Sequence, residues 1–403
     1  MFWVIIYSAA PNMISKLLIA IFSFVLLYFS YVAINMTPLQ LGEVDSLTYH
    51  VPLAESFANG EFNNLLHIPQ GLGYYPGVGE VLLSFVIKLG VPLGFFNILS
   101  VALLFLVLRK LGRTYKLNRD YSNVFAASVC LLPSILRLVP TQKIDIWLAV
   151  SFVYIIVLIK NHQKTLFYYL KLGIAIGVLI GIKYSGILIA TGLCIVFAKS
   201  IWSKLNIKRF FCLISPVLII GGYWYLRNYL LFNNPIFPLG FLIFAPHPDF
   251  TNIVWTSLTN AILATNGIFV FLQAYVSEFL LWSITPLIIF YSYFYSKKEK
   301  ISNTTKEMGF LSFFLFLFLL PLPAGPFYQS AVSFMRFVFP LMIVLILQVF
   351  LFASKTKNLK TLGFLAFLSS VAVLPQLNYY PKLIMIWLIL MCLGLLIPMI
   401  RKI

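Results

Sequence analysis

Charged residues are scarce in this chain. Only 10% of its 403 residues are Asp, Glu, Lys or Arg, whereas soluble globular proteins carry about 25%. Hydrophobic residues make up 61% of the sequence. A composition so poor in charge excludes an ordinary soluble protein and is typical of a chain that crosses a membrane several times.

Cysteine and histidine are also rare, with four residues of each. The cysteines all fall inside apolar runs, with no close pairing and no metal-ligand spacing, and they are Cys130, Cys194, Cys212 and Cys392. We therefore interpret them as buried, inert thiols. No cofactor is established by the sequence. A site for a divalent cation made of Asp45, His50 and His247 stays open as an alternative.

Acidic residues number only 11 against 29 lysines and arginines, which gives a net charge of +18. Such an excess can indicate nucleic-acid binding, but its distribution here does not. Most of the basic residues lie in short clusters between apolar runs, at 109–119, 160–171, 199–209, 297–306, 355–360 and 401–402. By the positive-inside rule, these clusters mark cytoplasmic loops. We therefore expect attraction to anionic membrane lipids and no nucleic-acid partner.

Apolar runs of membrane-span length recur along the chain. A span needs about 20 apolar residues, and these runs are too long for the strands of a membrane barrel. They predict an all-α polytopic membrane protein, a bundle of about 12 transmembrane helices. The predicted spans are 14–34, 92–108, 121–137, 145–160, 166–182, 184–199, 210–227, 271–296, 308–323, 337–353, 361–374 and 383–400.

The predicted organisation is one membrane domain over residues 1–403. Its parts are a first span at 14–34, an outer loop with interfacial helices at 35–90, core spans at 92–227, a second outer loop at 228–270, and C-terminal spans at 271–400. Residues 80–90 are also apolar. Because 35–79 is predicted to lie outside and the basic loop at 109–119 in the cytoplasm, the chain between them must cross the membrane an odd number of times. Residues 80–90 are therefore predicted to be an interfacial or re-entrant helix, or the start of one long span. No small-residue cleavage site follows the first run, so we expect a retained span and both termini in the cytoplasm.

The first outer loop lacks basic residues altogether. No lysine or arginine occurs between Lys16 and Lys88, whereas the same interval carries Glu43, Asp45, Glu55, Glu61 and Glu80. Within it, the stretch "VPLAESFANG" at 51–60 predicts a short amphipathic helix along the membrane surface, with Val51, Ala54 and Ala58 on one face.

Four ionisable residues near span ends form a second pattern. They are Asp145 in "PTQKIDIWLAV", Lys183 in "GIKYSG", Arg227 in "WYLRNYLLFNNPIFP" and Arg336 in "SFMRFVFP". By the predicted topology they lie at the outer surface with Glu43 and Asp45. Each alone can be explained as a helix cap or a snorkelling cation. Together they supply a candidate general base and cations that stabilise a departing phosphate.

These motifs, taken in order from about residue 40 to 340, resemble the GT-C glycosyltransferases. This superfamily includes protein mannosyltransferases, the lipid A aminoarabinose transferase and bacterial enzymes that build cell-surface glycans. The resemblance rests on "GEVDSLTYHVP" and "YYPGVGE" in the first outer loop, "QKIDI", "GVLIGIKYSG", "RNYLLFNNPIFP" and "RFVFP". Many members have two adjacent acids in the first motif. Here Asp45 is followed by Ser46, and Glu43 lies two residues upstream.

The resemblance implies roles for individual residues. Asp45 matches the position of the catalytic base, with Asp145 and Glu43 as further catalytic acids. Lys183, Arg227 and Arg336 match positions whose implied role is binding of the donor phosphate. His50, Tyr49, Tyr75 and Asn228 are expected to support these residues.

The implied activity is that of an inverting glycosyltransferase in a bacterial inner membrane. The enzyme would move a sugar from a polyprenyl-phosphate carrier to a glycan, lipid or protein acceptor on the non-cytoplasmic face. Two alternatives stay open. One is an O-antigen polymerase or ligase that uses a diphosphate-linked donor, and the other is a transporter of lipid or glycan without chemistry.

Overall fold

The computed structural model of the chain describes residues 11–160, 164–240, 243–248, 256–295, 303–325, 327–356 and 359–371. Nearly all the regular structure is helical. The helices of the first half are α1 (Pro11–Asn35), α2 (Pro38–Leu41), α3 (Val51–Ala58), α4 (Val78–Lys88), α5 (Phe95–Thr114), α6 (Arg119–Cys130), α7 (Pro133–Leu136), α8 (Asp145–Ile159), α9 (Leu166–Ile182), α10 (Ser185–Val196) and α11 (Ala198–Trp202).

The second half continues in the same way. Its helices are α12 (Ile207–Pro216), α13 (Tyr223–Phe232), α14 (Leu258–Leu263), α15 (Gly267–Phe279), α16 (Thr285–Tyr295), α17 (Asn303–Leu319), α18 (Tyr328–Phe334), α19 (Phe339–Lys355) and α20 (Leu359–Val371). Short π-helical segments lie at Ser46–His50 and Val217–Gly222. Short 3₁₀ segments lie at Pro69–Tyr74, Leu280–Ile284 and Met335–Val338. Two short antiparallel strands, β1 (Thr256–Ser257) and β2 (Pro323–Ala324), pair Thr256 with Ala324.

The chain is an almost entirely α-helical membrane protein. Within the described residues, five continuous helical segments are long and apolar enough to cross a membrane: Met13–Asn35, Phe95–Thr114, Ile207–Phe232, Gly267–Tyr291 and Tyr328–Lys355. The helices predicted at 145–160, 166–182 and 184–199 are also present, as the shorter apolar helices α8, α9 and α10. The predicted span at 383–400 lies outside the described residues, and the count of 12 spans stays a prediction.

One predicted span is divided. The run at 121–137 does not form one helix, because α6 ends at Cys130 and α7 begins at Pro133. Leu132, between them, is extended, with φ −66° and ψ 137°. A proline ring disfavours helical backbone at the residue before it, so Pro133 explains the break. The break matters because it places Arg137, at the end of α7, beside the candidate site.

The first loop is compact and helical. The helix predicted at 51–60 is confirmed as α3, but its buried face carries Leu53, Ala54 and Phe57 rather than the predicted Val51 and Ala58. Helix α4 spans 11 residues, which is well below the roughly 17 needed to cross a bilayer. A Cβ on Gly79 of α4 would lie 2.3 Å from Cγ2 of Ile144. The loop therefore packs directly against the residue before Asp145.

Glycines on one face of α9 allow a close approach to the segment 207–232. A Cβ on Gly173 would lie 2.2 Å from the carbonyl oxygen of Leu213, and one on Gly177 would lie 2.7 Å from that of Pro216. Gly181, one turn further, packs against Val78 and Ile220. Small residues at four-residue spacing are a common device for such contacts between membrane helices. Lys183 is the residue that follows the end of α9, two positions after Gly181.

Candidate functional site

The loop between α1 and α3 is folded so that both of its first acids are fixed. Gly42, with φ +64°, turns the chain after α2 in a backbone conformation that favours glycine. The backbone nitrogen and the hydroxyl of Ser46 both donate to Oε2 of Glu43, at 2.8 and 2.7 Å. Ser46 also accepts a hydrogen bond from the backbone nitrogen of Gln142 at 3.0 Å. Glu43 therefore links the first loop to the segment before α8.

Asp45 lies between two cations from distant parts of the chain. Its Oδ2 accepts a hydrogen bond from Nη1 of Arg336 at 2.8 Å and lies 3.3 Å from Nζ of Lys143. The same lysine Nζ lies 2.5 Å from Oε1 of Glu43. Arg336 belongs to the turn at 335–338, before α19. The first loop, the segment before α8 and the start of α19 therefore meet at Asp45.

Asp145 and Lys183 form the second ion pair of this cluster. Nζ of Lys183 donates to Oδ1 of Asp145 at 2.8 Å, and the aspartate side chain is only 4% exposed. The same ammonium lies 4.2 Å from the ring centroid of Phe337, next to Arg336. Phe337 therefore lies between the two pairs, and five of the six predicted catalytic or phosphate-binding residues share one cluster.

Electrostatics hold Asp45 in its ionised form. Burial alone would raise the pKa of Asp45, but the charges of Arg336 and Lys143 outweigh it and hold that pKa well below its usual range. Tyr49 and Tyr75 lie close by, and burial, with a contribution from Asp45, raises the pKa of both phenols. Both tyrosines therefore keep their protons and can donate hydrogen bonds. Their rings meet edge to face, with centroids 6.2 Å apart.

A polar cavity opens beside the cluster. Its volume is about 340 Å³, and it is lined by Leu41, Glu43, Arg137, Leu138, Pro140, Thr141, Lys143, Tyr328, Gln329, Val332, Ser333 and Arg336. This size is at the lower end of the range of small-molecule sites. Three cations from two parts of the chain therefore face one space, and two of them, Arg137 and Lys143, are absent from the predicted set of site residues.

The two missed cations carried weak sequence signals. Lys143 lies two residues before Asp145 in "QKIDI", where a lone lysine in a short polar stretch looks like ordinary loop. Arg137 was assigned to the end of a span at 121–137, which is where snorkelling cations are common. In the structure, Nη1 of Arg137 lies 3.1 Å from Oε1 of Glu278, and Nη2 donates to the carbonyl of Val332 at 3.0 Å. Only the division of that span reveals its position.

The histidine of the first motif is buried next to the cluster. Nδ1 of His50 lies 2.7 Å from Oε1 of Glu80, and both side chains are at most 2% exposed. Within the described part of the chain, no group of three His, Cys, Asp or Glu side chains is placed to hold a metal ion. The alternative cation site of Asp45, His50 and His247 is therefore not assembled there.

Arg227 lies in a different environment. Its guanidinium carbon is 5.2 Å from the ring centroid of Tyr74 and 5.1 Å from that of Trp224. Nη1 donates to the carbonyl of Phe62 at 3.2 Å, and Nε donates to the side-chain oxygen of Asn228 at 3.1 Å. The structure describes no ion pair for Arg227 with the acids of the cluster. Of the three cations predicted to converge, Lys183 and Arg336 therefore contact the acids of the cluster, and Arg227 lies apart from them.

Asn228 connects Arg227 to the cluster indirectly. Its amide nitrogen donates to the carbonyls of Tyr74 and Phe237, at 2.7 and 3.0 Å, and to the hydroxyl of Tyr184 at 3.0 Å. Tyr184 follows Lys183 in the chain. Asn228 therefore contacts the side chain next to Lys183 in the chain, and its supporting role stays a prediction.

Comparison with known proteins gives no assignment. No protein-family model matches the chain, and no characterised protein matches it. The chemistry of the site must therefore be argued from its own geometry. That geometry is a carboxylate between two cations, a second buried ion pair and a polar cavity, all at one end of a membrane bundle.

Proposed function

We propose that this protein is a membrane glycosyltransferase that transfers a sugar from a polyprenyl-phosphate carrier to an acceptor hydroxyl. The observation that carries the proposal is the cluster of Asp45, Arg336, Lys143, Asp145 and Lys183 beside a polar cavity. A carboxylate can take the proton of an acceptor hydroxyl, and cations can stabilise a departing phosphate. In this proposal Asp45 is the base, and Arg336 with Lys183 binds the phosphate.

The proposed reaction is a single displacement. The acceptor oxygen forms a bond to the anomeric carbon while the bond from that carbon to the phosphate oxygen breaks. The acceptor proton passes to a carboxylate oxygen of Asp45, and the lipid phosphate leaves with the electron pair. Attack from the face opposite the phosphate inverts the anomeric centre. No metal is required for this balance, although a divalent cation at the phosphate is compatible with it.

The ion pairs of Asp45 place a condition on this chemistry. A carboxylate held by two cations is a weak base, because both favour its ionised form. The donor phosphate can relieve this condition, because it is an anion that competes with Asp45 for Arg336. We expect donor binding to draw at least one cation away from Asp45 and so raise its basicity.

An entry route for the lipid lies beside the second ion pair. A narrow apolar crevice is lined by Ser185, Leu188, Ile189, Leu315, Phe318, Leu319, Leu322, Phe337, Pro340 and Leu341. Phe337 is also the ring beneath the ammonium of Lys183. The crevice has a volume of only about 20 Å³, so a polyprenyl chain would have to widen it to bring its phosphate to Lys183. The crevice supports approach of the donor from the lipid, while the polar cavity is available to the acceptor.

The finer architecture is part of the same proposal. We infer a GT-C-like bundle of about 12 spans in a bacterial inner membrane, with both termini in the cytoplasm and the cluster facing outward. Undecaprenyl phosphate is the proposed carrier. Reporters fused at 115 or 205 should be cytoplasmic, and one fused within 60–70 should lie outside. Cytoplasmic placement of 60–70 would contradict the outward-facing site.

The decisive experiment compares three outcomes with purified protein in lipid nanodiscs. Radiolabelled sugar is supplied on undecaprenyl monophosphate or on undecaprenyl diphosphate, and transfer to an acceptor extract and release of free sugar are both measured. The proposal requires use of the monophosphate donor. Use of the diphosphate donor alone would favour a polymerase or ligase. Movement of the lipid across vesicles with no sugar released would favour a transporter.

A further inference from the structure

The cavity beside Asp45 has an unequal distribution of charge. Three cations line it, Arg137, Lys143 and Arg336. Among the described residues, Glu43 is the only carboxylate in its lining, and both of its oxygens are already engaged by Lys143 and Ser46. The cavity therefore presents positively charged hydrogen-bond donors to the space that a ligand would occupy.

The carboxylates that balance two of these cations are outside the cavity lining. Glu278, the partner of Arg137, has a side chain only 7% exposed and does not line the cavity. Asp45, the partner of Arg336, does not line it either. The cluster is therefore close to neutral as a whole but cationic on its open face. Such an arrangement attracts an anion without leaving the protein with a buried, uncompensated charge.

Two of the three cations have donors to spare. Nε of Arg336 is buried and has no hydrogen-bond partner among the described residues. The described contacts of Lys143 use its ammonium on two carboxylates, and an ammonium has three donors. Arg137 and Lys143 lie in the connection between α7 and α8, and Arg336 lies in the turn before α19, so the fold brings two distant parts of the chain together here. Hydroxyl-bearing Thr141, Tyr328 and Ser333 complete a lining suited to a sugar.

From this geometry we propose that the acceptor is an acidic sugar, whose carboxylate or phosphate binds between Arg137, Lys143 and Arg336. The inference rests on the proposed function and names the class of its acceptor. Arg137 and Lys143 are then specificity-determining residues rather than donor-binding ones. An acid held there places the rest of the sugar near Asp45, which lies 3.3 Å from the same lysine Nζ. A neutral sugar loses the charge-assisted hydrogen bonds and binds less tightly.

The test uses binding rather than turnover. Glucuronate and glucose serve as soluble probes, and undecaprenyl phosphate serves as the lipid probe, each titrated into the full chain in nanodiscs by calorimetry. Glucuronate should bind the parent protein about tenfold or more tightly than glucose. Lys143→Gln should reduce that preference. Lys88→Gln, a change at an exposed lysine at the end of α4, is the matched control and should leave it unchanged.

Arg137 needs a compensated variant. Arg137→Gln alone would leave Glu278 buried without its partner, which destabilises proteins strongly. The double variant Arg137→Gln, Glu278→Gln removes the cation and its carboxylate together. It should lose most of the preference for glucuronate while binding undecaprenyl phosphate as the parent does.

The outcomes separate this inference from the function it rests on. Equal binding of glucuronate and glucose to the parent would overturn it, even if the sugar-transfer assay succeeds. A parallel loss of undecaprenyl phosphate binding in the double variant would assign the cavity to the donor and overturn it as well. If glucuronate binds with the expected preference but no donor is consumed, the transferase proposal fails and the acid-binding site stands.

Discussion

The ammonium of Lys183 lies 2.8 Å from Oδ1 of Asp145 and 4.2 Å from the ring centroid of Phe337. This contact joins the end of α9 to the first residue of α8 and to the segment that carries Arg336. One face of the lysine meets a carboxylate and another meets an aromatic ring, and the lysine side chain stays 19% exposed. The pair is therefore both a structural joint and a candidate phosphate contact, and variants must separate these roles.

Asp45→Asn tests the proposed base. The amide keeps the shape of the side chain but cannot accept the proton, so turnover should fall by about 10²–10⁴-fold. Donor binding should persist. The measurement is single-turnover sugar transfer by folded protein in nanodiscs. Glu61→Gln removes an exposed carboxylate of the same loop and is the control. Transfer by Asp45→Asn at the parent rate would remove Asp45 from the mechanism, and Glu43→Gln should have a smaller effect than Asp45→Asn.

The pair of Asp145 and Lys183 calls for a double variant. Either Asp145→Asn or Lys183→Met leaves a buried charge without its partner, at a cost of about 3–5 kcal/mol. The combination should recover most of the thermal stability in nanodiscs, because no lone charge is left. Activity should stay low if the pair also serves the reaction. Recovery of both stability and sugar transfer in the double variant would show that the pair is only structural.

The cations differ in their expected effects on donor binding. A hydrogen bond to a charged group contributes about 1.5–3 kcal/mol, so Arg336→Ala or Lys183→Ala should weaken undecaprenyl phosphate binding about 10–100-fold. Arg336→Lys should also lose affinity if both guanidinium nitrogens contact the phosphate. The role of Arg227 in donor binding stays a prediction. Its surroundings of Tyr74 and Trp224 instead favour a loss of folded protein in Arg227→Ala. Unchanged affinity in all the variants would contradict a phosphate site.

The pH dependence follows from the lowered pKa of Asp45. Burial opposes its ionisation, and Arg336 and Lys143 overcome that effect. Lys143→Gln removes one of these charges, so the pKa of Asp45 should rise and the acidic limb of the kcat/KM profile should move to higher pH. The ionised Asp45 side chain also contributes to the stability of the folded protein. Because folding lowers the pKa of Asp45, this stabilisation is present above the ordinary pKa of 3.8 and is lost as pH falls through the folded value. An unmoved limb would show that Asp45 does not control the profile.

Gly79 offers a test of how packing positions the site. A Cβ at this position would lie 2.3 Å from Cγ2 of Ile144, the residue before Asp145. Gly79→Ala should therefore displace the start of α8 and lower stability by about 1–3 kcal/mol, as overpacking commonly does. Gly222→Ala is the control, because its nearest contact would be an ordinary 3.6 Å. Equal melting temperatures and equal sugar transfer for the two variants would contradict a positioning role for this contact.

Part of this site could be predicted from the sequence. Ionisable residues near span ends indicate function because charge near a membrane is costly; that logic selected Asp145, Lys183, Arg227 and Arg336, and the acids of the first loop added Glu43 and Asp45. It could not select Lys143, because one lysine in a short polar stretch carries no cost. It also could not place Arg137, because the position of that residue depends on the break that Pro133 introduces.

The same limit applies to Arg227 and to the fold. Arg227, like Arg336, is a cation near the end of a predicted span. Which acid each arginine contacts depends on side chains from other helices, and the sequence does not show which helices pack together. The continuous apolar runs in the sequence located α8, α9 and α10. The close contact of α9 with 207–232 depends on three-dimensional packing at Gly173 and Gly177. A hydrophobic pattern alone does not specify which helix fills that space.

The bond between Arg336 and Asp45 also has a consequence for biogenesis. The two residues are 291 positions apart, so at about 5–20 residues per second the ribosome needs about 15–60 s to deliver the second after the first. During that interval Lys143 is the cation already synthesised that can neutralise Asp45. Until Arg336 is synthesised, the ion pairing of Asp45 seen among the described residues depends on Lys143.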